Sequence, residues 1–507
     1  MWMLVGTFCF GQSDSSILSS KSLNAVVQSN GTFFSQKNSQ PLSNLEEVIG
    51  PQLIRYSNSW MAGVVGGTIY ANKNVGGETQ QLWPGPIDTA TNLAKSAVSW
   101  SKVWAVSKSE VTNHLENFQN TGYQVPESFN NWPSKHNETN VNAYLAPFVD
   151  WNKNGVYDPE NGDYPSFNGD HAVYFILNDL YGENVFPQAN KMGLEMQGMA
   201  FVYDDPMLSN AIFVRLFVIN RSTNNYSPFY YGQYVDLELG NRNDNYIATD
   251  LSRDLVYGYN GDSIDQGGFE TKLPSAGVLF LNQRLYASSG LVKGDSARGF
   301  PETEDQMLSI LEGNWLSGNP KYSNGKGFVG TEAEKTKFIY PGKTEWNTSQ
   351  YNWRDENSGD TPGVRKFLAV SKFNSFQPKS FKKIDFAFVF ALGDAAKSSE
   401  GALTEQTERI IRRYNETLSL RKISFNNGFN VYPNPLNLRI SDVLMVSGDN
   451  PELWSIEGKK LGCLIVVDNE KKKYKVPCSE KLSAGIYLIK ATTSNGMIIK
   501  KVIFTTD

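Results

Sequence analysis

Runs of β-branched and aromatic residues, each about the length of one strand, dominate the chain. AVYFILND (172–179), AIFVRLFVIN (211–220) and PFYYGQYVDLEL (228–239) have the span of sandwich strands and are separated by clusters of Asn, Gly and Ser. DLVYGYN, GVLFLN, KFLAVSKF and DFAFVFALG extend the series. Upstream, Leu53 to Pro86 reads as short strands broken by glycine doublets at 66–67 and 76–77, closing on the rigid turn Trp83-Pro84-Gly85-Pro86. Helical signals are few. Ser107 with Glu110 three residues on is a capping box, which predicts a helix from about 108 to 119 with His114 as a partly exposed polar residue. LTEQTERIIRRYNETLSL places apolar residues at 403, 410, 411 and 418 among charges and predicts an amphipathic helix. Residues 12–40, rich in Ser, Asn and Gln, read as beginning with a loose tail, and the polar, Gly-rich stretch 294–360 as long loops or an insertion. No repeat of fixed period is visible.

Length and composition bound the rest. The chain has 507 residues, enough for about three domains at roughly 150 residues each. With 47 basic against 52 acidic side chains, net −5, it lacks the cationic surplus from which nucleic-acid affinity starts. Aromatic residues make up 13 %, which favours β-structure and flat apolar surfaces. No internal stretch reaches the eighteen apolar residues of a membrane-spanning helix.

The first eleven residues, MWMLVGTFCFG, are apolar throughout and predict a secretory signal peptide cut ahead of Gln12, although the first basic residue is Lys21. A buried N-terminal strand is the alternative. Phe8 stands where a lipoprotein signal at Cys9 needs a small residue. Removal of the signal leaves Cys463 and Cys478, on either side of a predicted hairpin, LIVVDNEKKKYKVP. A disulfide there closes a loop of about 15 residues and contributes about 3 kcal/mol in the chain-entropy picture; two free thiols are the alternative.

The last 78 residues carry a combination of motifs: Tyr432-Pro433-Asn434-Pro435, a turn containing Gly458-Lys459-Lys460, Leu482 followed by Gly485-Ile486-Tyr487, and a terminal strand bearing Lys500 and Lys501. Together they resemble the C-terminal sorting domain of type IX secretion cargo from the Bacteroidota. The resemblance implies a small Ig-like β-sandwich read by the outer-membrane export machinery. Pro433 and Pro435 agree with it, because proline cannot donate to a ladder and belongs in a linker or on an edge. Trp83-Pro84-Gly85-Pro86, the segment Phe148 to Pro159 with Gly162-Asp163-Tyr164-Pro165, and Tyr257 to Asp262 further resemble large exported proteins of the same phylum. That second resemblance implies secretion and no reaction.

Two constellations carry candidate chemistry. Asp150, Asn152, Asn154 and Asp158 occupy loop positions 1, 3, 5 and 9, with Gly155 at the sharp turn and the Val156 carbonyl at position 7. Alternation of this kind points oxygens at one centre and predicts a calcium site of the extracellular kind, with Asp163 as a further carboxylate. Asn161 stands where a bidentate Glu is usual, and a set of Asx-turns held by their own backbone hydrogen bonds is the alternative. A second acidic cluster comprises Asp236, Glu238, Asn243, Asp244, Asn245 and Asp250. It reads as a second cation site, a carboxylate pair for glycoside hydrolysis, or a solvated strand end.

Other enzyme signatures break down. Gly261-Asp262-Ser263-Ile264 resembles a GDSL esterase block, but no histidine follows His171 to serve as base. Gly342-Lys343-Thr344 ends like a P-loop with Lys337 where the first glycine is needed, and His114, His136 and His171 are too dispersed for zinc.

The expectation is a mainly β protein: a signal at 1–11, a β-rich region with one short helix at 12–150, a β-rich body ending in a helix at 151–420, a linker at 421–429 and a sorting domain at 430–507. Its expected role is a calcium-stabilised binding protein of the cell surface or extracellular space, with a glycan or surface partner and Trp83, Trp100, Trp104, Trp132 and Trp151 as candidate platforms. A polysaccharide-directed hydrolase and a structural matrix protein are the other readings.

Overall fold

The structure is a computed structural model and describes residues 15–34, 52–75, 80–136, 138–141, 145–183, 186, 190–345, 349–393, 398–415, 431–432, 436–437, 443–446, 449–455, 460–468, 472–476, 482, 485–493 and 496–505. The predicted signal (1–11) and linker (421–429) lie outside these residues. The chain divides into two compact units, Met1–Ile411 and Arg412–Asp507.

Along strand Ala211–Asn220, Ile212, Val214, Leu216 and Val218 enter the main core while Arg215, Phe217 and Ile219 face the other way. This alternation is the period-two signature of a sheet packed on one side. The strand sits inside a nine-stranded antiparallel sheet with the order Asn245–Asp250, Leu255–Asn260, Pro274–Phe280, Phe381–Leu392, Ala211–Asn220, Leu194–Val202, His171–Asn178. Trp83–Pro84 and Trp104–Ser107 both pair with His171–Asn178 at its edge.

Strand Phe229–Leu237 behaves differently, being buried at every position. It is the centre of a five-stranded sheet ordered Ala287–Leu291, Lys366–Phe373, Phe229–Leu237, Ile54–Val65, Thr68–Lys73. One face, with Phe229, Tyr231, Val235, Phe367 and Ala369, packs on the nine-stranded sheet in a common core. The other, with Trp60, Tyr230, Tyr234, Leu368 and Val370, is covered by helix Glu304–Leu311 through Met307, Ile310 and Leu311. Burial on both faces explains why this run is mostly apolar and aromatic, with only Gln233 and Asp236 as buried polar side chains. Strands from 12–150 and from 151–420 pair within both sheets, so the two stretches share one core.

Several expectations are corrected. Residues 294–360 are part of the body: Thr303 caps helix Glu304–Leu311, and Trp315, Ile339, Tyr340 and Trp353 are core residues. Eight helical residues give too short a window for periodicity to register. The supposed loose tail contains the hairpin Ser15–Ser19/Asn24–Gln28, which buries Leu18, Ala25 and Val27 in the main core. His114, on helix Lys108–Asn117, is fully buried among Phe118, Tyr123 and Phe129, and burial pushes its pKa down. The amphipathic helix spans Ser399–Arg413 and buries Leu403, Gln406, Thr407 and Ile410.

The second unit is a sandwich of a four- and a five-stranded sheet. Leu444, Val446 and Tyr474 from one sheet meet Leu453, Ile489, Ala491, Val502 and Phe504 from the other. The predicted hairpin forms as Ile465–Asp468 paired with Lys473–Lys475. Cys463 is exposed on a strand of the other sheet, paired opposite Glu452, and Cys478 lies outside the described residues.

Candidate functional site

Residues 150–163 form a loop whose base is a short ladder, Phe148–Val149 against Tyr164–Pro165. Inside it the oxygens of the predicted ligands turn toward the curl. Asp150 accepts from the N–H groups of Asn154 (3.1 Å) and Gly155 (2.9 Å), Asn152 from Asn154 (3.0 Å), and Asn154 from Val156 (2.8 Å). Asp158 takes the side-chain amides of Asn152 (3.0 Å), Asn154 (2.9 Å) and Asn161 (2.8 Å). Burial pushes the Asp158 carboxyl up, and the three amide donors outweigh it and hold the pKa below its ordinary value.

Asp163 does something else. It is fully buried and clamps the loop ends, Oδ1 accepting from Trp151 N–H at 2.8 Å and Oδ2 from Asp158 N–H at 3.0 Å. Burial raises its pKa against those two bonds. Among the described residues no three His, Cys, Asp or Glu side chains converge as a metal cluster, so any cation here would rest on the amide and backbone carbonyl oxygens together with Asp150 and Asp158. The loop stands on helix Lys108–Asn117 and its C-cap through Trp151 against Phe118, where Gly162 (φ +101°) leaves room that a Cβ would fill at 2.8 Å from the Trp151 ring.

Beside this loop a cleft of about 720 Å³ opens on the outer face of the nine-stranded sheet. Its floor is a cross-strand row, Tyr174, Met199 and Arg215, with Gln197 and Phe217 as the next row. Arg215 is fixed by a two-pronged pair to Asp385, both contacts 2.9 Å. Phe217 meets the exposed Phe381 edge-on at 5.6 Å. The rim comes from 145–148 and 166–168, the segments that enter and leave the loop. The expected tryptophan platform is corrected: Trp100, Trp104 and Trp132 are buried, Trp83 is half-buried, and only Trp151 is well exposed. Outward-facing Phe217 and Ile219 were legible as alternation in 211–220; their place beside Phe381, in one cleft with Phe148, was not.

The second acidic cluster does not form one site. Asp236 is buried with Lys366 (2.6 Å), and Arg242 lies 3.9 Å from Asp236 and 3.8 Å from Glu238. Asp250 turns to Arg253 at 2.6 Å. Asp244 takes the Asn241 amide at 2.8 Å, and burial, with Asp265 and Asp262 nearby, pushes its pKa up to about 6. Asn245 donates to the carbonyls of Glu238 and Asn241.

In the second unit, Val431–Tyr432 pairs with strand Val443–Val446. Gly485, Ile486 and Tyr487 open strand Gly485–Thr493, and Lys500 and Lys501 lie on Gly496–Thr505 opposite Ile489 and Leu488. Tyr487 stacks on Phe504 at 4.9 Å. Pro433, Asn434, Pro435 and Gly458 lie outside the described residues.

No curated protein matches the chain. A solved polysaccharide lyase aligns over 62 % of this chain and 34 % of its own, at 7 % identity and a TM-score of 0.20, so this chain spans about a third of that protein. No helix among the described residues is long and apolar enough to cross a membrane. Residues 430–505 match the family profile of the secretion system C-terminal sorting domain, the same stretch that folds as the small sandwich and carries the motifs read from sequence. The chain is cargo of the type IX secretion system, sent by this domain to the cell surface or extracellular space.

Proposed function

We propose that the body is a calcium-stabilised binding protein acting at the cell surface or in the extracellular space, with a glycan laid in the aromatic cleft. The observation that carries this reading is the continuity of loop and cleft: Phe148, in the ladder that closes the 150–163 loop, and Ser166–Asn168, directly after it, line the cleft. Calcium held by Asp150, Asn152, Asn154, the Val156 carbonyl and Asp158 would stiffen that rim, with Asp163 as clamp. Asn152 and Asn154 now aim amide groups at Asp158, and a cation among them would take the amide oxygens instead. The cleft supplies apolar ring faces for stacking, with Gln197, Asn168 and Arg215 as polar contacts, the usual composition of a ligand site.

The hydrolase reading receives less support, because Asp236 is held by Lys366 with Arg55 and Arg242 within 4.0 Å, and Glu238 lies 3.8 Å from Arg242, so the two carboxylates serve as ion partners instead of an acid and a nucleophile. The test is calorimetry with calcium followed by a glycan array read for binding and for turnover. The proposal expects calcium heat that disappears in Asp150→Ala, and glycan binding without product that is lost in Phe217→Ala. No calcium heat removes the metal from the reading. Product release that disappears in Asp236→Asn would replace it with the hydrolase. Deleting 430–507 is expected to abolish export.

A further inference from the structure

A second cleft lies away from the aromatic one, at the end of the five-stranded sheet. Cross-strand register puts Tyr56, Asp236, Lys366 and Leu291 in one row over four adjacent strands. The cleft above them, about 340 Å³, is also lined by Arg55, Arg242, Lys293 and Phe300. A neighbouring cleft of about 250 Å³ shares Leu291, Val292, Val364 and Lys366 with it, so the two run together as a groove; there Arg298 is paired with Asp360 in the same lining and Arg365 with Asp355. In a chain of net charge −5, four cations line the 340 Å³ cleft against one carboxylate, Asp236.

The two arginines are incompletely used. Arg55 NH1 stands 4.0 Å from Asp236 Oδ2, Arg242 NH2 3.9 Å from Asp236 Oδ1, and Arg242 Nε 3.8 Å from Glu238 Oε2. None of these is a hydrogen bond. Arg242 Nε, Asp236 Oδ2 and Glu238 Oε2 are buried atoms without a hydrogen-bond partner. Asp236 has a hydrogen-bonded partner in Lys366 through Oδ1, and Arg242 stands at ion-pair distance from Glu238 without bonding it. A planar guanidinium with free prongs is suited to a carboxylate or sulfate, which it grips by two parallel bonds. Phe300, half-buried, adds a ring face beside those prongs and packs in turn on Trp60 and Tyr234, while Tyr56 is buried beneath with the Arg55 guanidinium 6.0 Å from its ring centre.

We propose that this groove binds an acidic saccharide, its oxoanion held by Arg55 and Arg242 and its sugar ring laid against Phe300. The shared chemistry, an oxoanion on a sugar, comes from uronic acids or from sulfate esters. The site is separate from the aromatic cleft and independent of calcium.

The test is calorimetry on the full chain with an oligogalacturonide and a sulfated dextran oligomer in parallel, with neutral dextran, inorganic phosphate and single-stranded DNA as controls. Binding by one or both acidic oligomers is expected, weakening with added salt, and the stronger of the two names the oxoanion. Arg55→Gln and Arg242→Gln are each expected to weaken it about tenfold, with an unchanged melting temperature showing that the fold survives. Phe217→Ala, in the other cleft, is expected to leave it unchanged. Equal binding of neutral dextran, preference for DNA or for phosphate alone, or full binding by the Arg55→Gln/Arg242→Gln double variant would each overturn the proposal.

Discussion

Lys366 donates from Nζ to Asp236 Oδ1 at 2.6 Å across the pairing of strands Phe229–Leu237 and Lys366–Phe373, and both side chains are buried. Such a pair is costly to break from one side, since the survivor keeps its desolvation without its partner. Asp236→Ala is expected to lower the urea-unfolding free energy by about 3–5 kcal/mol, and Asp236→Leu with Lys366→Met to recover most of that loss. A double variant no more stable than the single would show that the pair is not the source.

Lys321 is fully buried, its Nζ 2.9 Å from Ser288 O, 2.9 Å from Gly313 O and 2.8 Å from Ser289 Oγ; the neutral amine donates to the two carbonyls and accepts from the Ser289 hydroxyl. Desolvation pushes its pKa from 10.5 down to about 7. Between those values the unfolded chain keeps a proton that the native state has released, so stability rises with pH through this window and falls as pH drops toward 7. The expected slope between pH 7.5 and 9.5 is at most about 1.4 kcal/mol per pH unit from this group. Lys73, pushed down to about 8 by burial, adds the same sign over a narrower range. Lys321→Met is expected to flatten the profile measured by urea titration; an unchanged slope would assign it elsewhere.

Gly198 lies between its cross-strand neighbours Phe175 and Leu216, and a Cβ added there would stand 2.2 Å from the Phe175 ring and 2.9 Å from Leu216 Cδ2. Gly198→Ala is expected to cost about 1–3 kcal/mol by overpacking. Phe175→Leu in the same chain should restore part of it, which a thermal melt would read directly.

Asp163 clamps the 150–163 loop with both carboxylate oxygens. Asparagine offers one acceptor and turns an N–H toward another N–H, so Asp163→Asn is expected to cost about 1–3 kcal/mol. Because the clamp holds the loop ends, the same variant is expected to weaken the proposed calcium binding, and calorimetry alongside unfolding separates the two effects. Native calcium affinity in a destabilised variant would confine Asp163 to a packing role.

Much of the candidate site could be read from residue order, but not its geometry. The 1, 3, 5, 7, 9 spacing in 150–158 located a curled loop, because turn chemistry is local and each Asx oxygen reaches an N–H within five residues. The same spacing could not show that Asp163 would be a buried clamp, since that depends on the packing of Trp151 and Gly162 against Phe118. The acidic cluster at 236–250 misled for a related reason. Nearness in sequence groups its carboxylates as a pair, while Lys366, more than a hundred positions away, is the partner that Asp236 takes in the fold.

By itself the sequence determined the class and the destination. Strand-length β-branched runs allow little but sheets, and the capping box at Ser107 sets a helix start by local hydrogen bonds that the structure repeats, Ser107 N–H to Glu110 Oε2 at 2.8 Å. The sorting motifs are contiguous stretches, legible without any fold around them. The tertiary structure alone decided which strands share a sheet, which aromatic residues remain at a surface, and which charges are left with unused hydrogen-bonding capacity. Those outcomes depend on contacts between residues far apart in the chain, where register and two-sided burial, more than any local preference, select the partner of each side chain.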